Sequence, residues 1–221
     1  NGIFFDNASG NWLSSRLGIV SGGKIIEYPF TDKDSLDNAW NADHKQVLSE
    51  AKAALGHRFS IINTSSYQSN FAWVGSLLSV ADGSLREFWF DINNAWGPSN
   101  PAVLDDIIQS DQTGKINLIW ARDNYGTCCN GQITKERNQI WGLSAYYLLH
   151  GVHTYFKWSN DTGGEKVNVR SWFPAIEYNI GQPRGSYYLW PVTKTDHSTG
   201  LDPNGYPVTI YARQFTNALI L

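Results

Sequence analysis

Methionine is absent from the 221 residues, cysteine occurs only twice, and charged side chains make up just 17% of the chain. Without an initiator residue, the expectation is of a piece excised from a longer polypeptide, so the lack of a signal peptide carries no weight. The 17 Lys and Arg against 20 Asp and Glu leave a formal charge of −3 with no basic stripe, and nucleic acid is not an expected partner. Long apolar runs are also missing. The longest, Ser144 to Leu149 and Ala218 to Leu221, fall far short of the roughly 20 residues of a spanning helix, so membrane insertion is not expected. Neither the 5 histidines nor the 2 cysteines occur at ligand spacing, so no metal and no other cofactor is expected.

What the chain has in abundance is aromatic surface: 10 Trp, 11 Tyr and 10 Phe. Flat apolar faces with a polar edge suit sugar stacking as well as core filling, and most of these rings are expected in the core. With 42% hydrophobic residues the chain is globular and long enough for one substantial core. Cys128 and Cys129 are adjacent in the loop Tyr125 to Gly131. They can form a strained adjacent-residue bridge, pair outside this sequence or stay reduced. Asn-X-Ser/Thr triplets stand at Asn7, Asn63 and Asn160. Two of them fall at strand ends facing the expected cleft, which argues against their carrying glycans.

The opening run Gly2-Ile3-Phe4-Phe5 fits a parallel strand, ending in Asp6 and Asn7. A carboxylate at that end of a strand in an α/β fold is a candidate for chemistry, or else caps the next turn. A long connection from Ala8 to Asp34 follows, then a helix capped by Ser35 with Trp40, Val47, Leu48 and Leu55 on its apolar side. Strand patterns recur at Arg58 to Ile62, from Ser84 past Glu87, at Lys115 to Ala121 and at Val152 to Trp158. Helical patterns lie between them, one opened by Pro101 and closed by Gly114, another running from Thr134 to Leu149 with Ile140 and Trp141 on its buried side. Strands alternating with helices in this way imply a parallel sheet. Beyond Ser159 a further helix is expected near Trp172 to Tyr178. Antiparallel strands are then expected at Ser186 to Trp190 and Tyr211 to Leu221, around the turn Asp202-Pro203-Asn204-Gly205.

With Gly2 to Asn7, the Arg86-Glu87-Phe88 strand end and the closing Tyr211 to Leu221 in place, the chain resembles the C-terminal part of glycoside hydrolases of the (β/α)8-barrel type. The resemblance spans nearly the whole chain on short motifs. It implies an incomplete TIM-barrel-like α/β fold holding strands four to eight over residues 1–185, with an antiparallel β extension over 186–221. Further chain segments or subunits are then expected to complete the barrel. It also implies paired carboxylates: Asp6 ionised, as nucleophile or base, and Glu87 protonated, as acid. Phe88 and Trp89 are suited to desolvating Glu87 and holding its proton.

Asn7, Asn63, Trp89, Arg122, Asp123, Tyr125, Tyr155 and Trp158 are the candidate substrate contacts around that pair. Blander readings stand beside these: Glu87 pairing with Arg86 or Arg122, Asp91 as rival acid, Arg122 and Asp123 bracing the rim, and Trp158 packing in the core. His44 and His57 are expected to be solvated. The function expected is a secreted or surface glycosidase acting on a polysaccharide. The competing expectation is a carbohydrate-binding or structural extracellular protein that keeps the fold without turnover. A metal-dependent deacetylase or lyase has no histidine set to support it.

Overall fold

The structure is a computed structural model that describes residues 2–6, 18–21, 24–27, 33–64, 71–87, 101–122, 135–159, 173–190 and 210–221. Strands β1 (Gly2–Phe5), β4 (Phe59–Asn63), β5 (Gly83–Glu87), β6 (Ile116–Arg122) and β7 (Thr154–Ser159) form one five-stranded parallel sheet, in the order β1-β4-β5-β6-β7. Helices α1 (Lys33–Leu55), α2 (Phe71–Leu78), α3 (Pro101–Gln112) and α4 (Lys135–Leu149) alternate with these strands. The expected parallel α/β sheet is therefore present, and it is open rather than closed into a barrel. Within the long connection after β1 lies an antiparallel hairpin, β2 (Gly18–Ser21) with β3 (Lys24–Glu27), which the sequence reading passed over.

Because strands adjacent in the sheet follow one another along the chain, each right-handed crossover puts its helix on the same face. The register bears this out. Phe5 pairs with Ile62, Ile62 with Ser84, Arg86 with Ile119, and Ala121 with Trp158. Ile62 packs with Leu48 of α1 and Val74, Leu77 and Leu78 of α2. Ile119, Ala121 and Trp158 pack with Leu104 and Ile107 of α3 and Leu143, Ala145 and Leu149 of α4. Since side chains alternate along a strand, residues of one parity are consumed by the helix layer, and those of the other parity line the opposite face.

At the N-terminal ends of the strands two carboxylates brace the sheet. Asp82 accepts hydrogen bonds from Lys52 Nζ at 2.6 Å and from the Ser60 amide at 2.8 Å. Buried Asp111 accepts from the amides of Val152 and His153 and from Thr154 Oγ1, the last at 2.6 Å, tying the end of α3 to the start of β7. Gly114, with φ of 80°, turns the chain out of α3 in the left-handed region where a side chain is strained.

Several local expectations need correction. Helix α1 begins at Lys33, so Ser35 lies inside its first turn and is not its cap. Val47 (56%) and Ile140 (48%) are exposed, as are Trp40 and Trp141, although all four were expected on buried faces. His44 is not solvated. It is half-buried with its ring edge-on to Trp40, and desolvation lowers its pKa, whereas His57 is exposed. The helix expected near Trp172 is a single 3-10 turn, Pro174–Glu177, preceded by Phe173, which packs edge-on to Trp158. The turn at Asp202 to Gly205 and the Cys128-Cys129 pair lie outside the described residues.

The C-terminal segment forms a three-stranded antiparallel sheet, with β9 (Tyr211–Gln214) between β10 (Leu219–Ile220) and β8 (Tyr188–Leu189). Arg213 docks it on α4. Its guanidinium donates to the carbonyls of Tyr147, Leu148 and His150, where the helix leaves its last acceptors unsatisfied. Tyr187 adds a second anchor, donating from Oη to Asp105 Oδ1 on α3 at 2.7 Å.

Candidate functional site

Asp6 directly follows β1 and is exposed at the strand's C-terminal end. Continuing the β1–β4 register by one residue sets it opposite Asn63, and Asn63 Nδ2 donates to Asp6 Oδ1 at 2.8 Å. Asn63 is only 4% exposed, so its amide is a fixed donor on the carboxylate. The sequence reading singled out both residues, and the structure brings them together.

Glu87 is the last residue of β5, at the same, C-terminal end of the sheet as Asp6. Position 87 belongs to the strand face opposite Arg86, because the two are adjacent in an extended strand. Arg86 is fully buried on the helix side, where its Nη2 donates to Asp106 of α3 at 2.8 Å. The Arg86 guanidinium thus has its carboxylate partner on the helix side, in Asp106.

In the register, Glu87 pairs with Trp120, and Trp120 with Lys157. Trp120 Nε1 donates to Ser159 Oγ at 2.7 Å, and Lys157 Nζ lies 4.5 Å from the centroid of the indole ring. An aromatic ring, an ammonium and a hydroxyl thus meet at the C-terminal ends of β6 and β7, one strand from Glu87. Trp120 and Ser159 were not among the expected contacts. Their signal was parity: a lysine and a serine flanking Trp158 mark the face away from the packed helices.

The same parity corrects Trp158. It is 1% exposed in the core between the sheet and α4, touching Phe173, because it pairs with Ala121 in the helix-facing row. It is no sugar platform. Tyr155 is 53% exposed on the uncovered face, but it is the second residue of β7, four strands across from β1, or about 19 Å at the usual strand spacing. It does not join Asp6. Arg122 ends β6 opposite Ser159, which puts its backbone beside the Trp120 cluster. Asn7, Trp89, Asp123 and Tyr125 lie outside the described residues, as does the rival acid Asp91.

No family model matches the chain, and no curated protein matches it. Among the described residues no helix is long and apolar enough to cross a membrane, and no group of three or more His, Cys, Asp or Glu gathers where it could hold a metal ion. The arrangement can offer a carboxylate held by an amide, a second carboxylic acid two strands away, and a ring flanked by hydrogen-bonding groups. Acid-base work on a polar, ring-shaped substrate is the chemistry these groups suit.

Proposed function

We propose that the chain is the C-terminal part of a (β/α)8 barrel and that it acts outside the cell as a glycoside hydrolase, cleaving a polysaccharide with Asp6 and Glu87. The observation that carries this reading is the exposed Asp6 carboxylate, held by buried Asn63 at the same sheet end as Glu87. Sequential strand order with every described helix on one face suits a barrel, whose inner face then bears the residues of the other parity.

In this mechanism Glu87 donates its proton to the leaving glycosidic oxygen, and Asp6 stays ionised. Asp6 and Glu87 are two strand spacings apart, and their register differs by two residues, so their Cα atoms are separated by about 12 Å. A span of that size favours the wider carboxyl separation, about 6.5–9.5 Å, which admits an attacking water. Asp6 is then the base for that water, and the outcome is inversion. The Trp120 ring stacks a sugar and Lys157 hydrogen-bonds its hydroxyls, while buried Ser159 holds the indole in place.

The non-catalytic reading, a carbohydrate-binding protein on the same fold, rests on that Trp120 cluster, which needs no carboxylate. Hydrolysis of a panel of polysaccharides by wild type, Glu87→Gln and Asp6→Asn separates the two. We expect each variant to lose about 10²–10⁴-fold in rate while still binding the glycan. Undiminished hydrolysis by Glu87→Gln removes the proposed acid. Glycan retention without product from the wild type turns the site into a binding surface.

A further inference from the structure

Behind the sheet, away from the proposed cleft, α3 covers polar atoms that the protein itself does not satisfy. Arg86 bonds Asp106 through Nη2, yet its Nε and Nη1 have no hydrogen-bond partner although the residue is 0% exposed. Ser84 Oγ, Ser110 Oγ and Asn117 Oδ1 are likewise buried without partners. These groups converge. Ser84 lies two residues before Arg86 on the same strand face and pairs directly with Asn117 of β6. Ser110 follows Asp106 by one turn of α3 and so comes over Ser84 when Asp106 comes over Arg86. Space adjoins them, because a groove of about 320 Å³ between α2 and α3 has both Asp106 and Ser110 in its wall.

We propose that this seam is a buried hydration site, in which ordered water bridges Arg86 Nε and Nη1 to Ser84, Ser110 and Asn117. Five orphaned atoms, at about three hydrogen bonds per buried water, call for about two molecules. Water fits where an anion does not. The set mixes donors with an acceptor-only atom, Asn117 Oδ1, whose amide nitrogen already donates to the Lys115 carbonyl at 3.3 Å. Asp106 also supplies the negative charge that the guanidinium needs.

Crystals of the wild-type chain test this. The expected result is an ordered water within hydrogen-bond distance of Arg86 Nε or Nη1 and of at least one of Ser84 Oγ, Ser110 Oγ and Asn117 Oδ1. An anomalous peak on the guanidinium edge after a bromide soak overturns it in favour of an anion site, and direct re-pairing of these side chains around a dry seam overturns it too. In solution, oxygen-17 relaxation dispersion should count fewer long-lived waters in Ser110→Ala than in wild type, with Gln112→Ala on the exposed side of α3 unchanged. An equal count in Ser110→Ala refutes the site. Ser110 Oγ has no hydrogen-bond partner within the protein, so that variant is expected to fold.

Discussion

Removing Asp106 should be among the most damaging single changes to this fold. The Asp106→Ala variant leaves the Arg86 guanidinium buried at 0% exposure without its counter-charge. Breaking a buried ion pair from one side costs about 3–5 kcal/mol, mainly the desolvation of the charge left behind. Asp106 is itself 17% exposed and borders the groove between α2 and α3, so solvent can reach the vacated position. The lower end, about 3 kcal/mol, is therefore expected. For a chain of this length that lowers Tm by about 6–12 °C. Arg86→Met should cost less, because the carboxylate it strands can hydrate in the groove. The double variant Arg86→Met/Asp106→Leu should return close to wild-type stability, since an apolar pair of similar volume carries no desolvation penalty. Urea unfolding followed by circular dichroism, with the m-value held constant across the four proteins, measures the cycle. An Asp106→Ala variant within about 1 kcal/mol of wild type, or a double variant as unstable as that single one, refutes the reasoning.

Other outcomes follow from the same contacts. Trp158→Ala should destabilise by about 3–5 kcal/mol through the core cavity it leaves, whereas Trp120→Ala should cost less stability and weaken glycan binding; thermal melts and affinity electrophoresis distinguish them. Asp82 is desolvated, which raises its pKa, but Lys52 and Ser60 together outweigh this and hold it below the ordinary 3.8. Its contribution to stability is present above about pH 3.8 and is lost as pH falls through the lower folded value, so Asp82→Asn should flatten stability against pH in that acidic range. Asn63, 4% exposed and donating to Asp6, should carry no glycan when the chain is expressed through a secretory route; a glycopeptide mapped to Asn63 contradicts the Asn63–Asp6 contact.

Strands β1, β4 and β6 were legible because each carries a short apolar run closed by polar residues, and the helices because Pro101, Gly114 and Gly151 punctuate them. What was not legible was parity. Trp120 and Trp158 both stand near strand ends and look alike in a list of aromatics. Only the neighbours tell them apart, since Lys157 and Ser159 cannot both face the packed helix layer, and Trp158 between them must. Helix α4 failed for a related reason. Its second half is apolar nearly all round, so the periodicity had no phase, and Asn138 and Gln139 are buried where Ile140 and Trp141 were expected. The β2–β3 hairpin was signalled by Gly22-Gly23 between two β-branched runs, a two-residue connection with the right composition.

Parity also decides what the polar residues of the sheet are for. At the N-terminal ends Asp82 and Asp111 each accept several hydrogen bonds from neighbouring elements, so their charges are spent on joining helix to strand. Arg86 extends that bracing role along β5, because its face of the strand meets α3 and its partner is Asp106. Glu87 is one residue on and therefore belongs with the other face, in register with Trp120 and, through it, Lys157. Positions 86 and 87 are thus split between the two sides of the sheet. The buried ion pair thus ties β5 to α3 from the helix side, while position 87 falls in the row of the sheet that faces away from the helices.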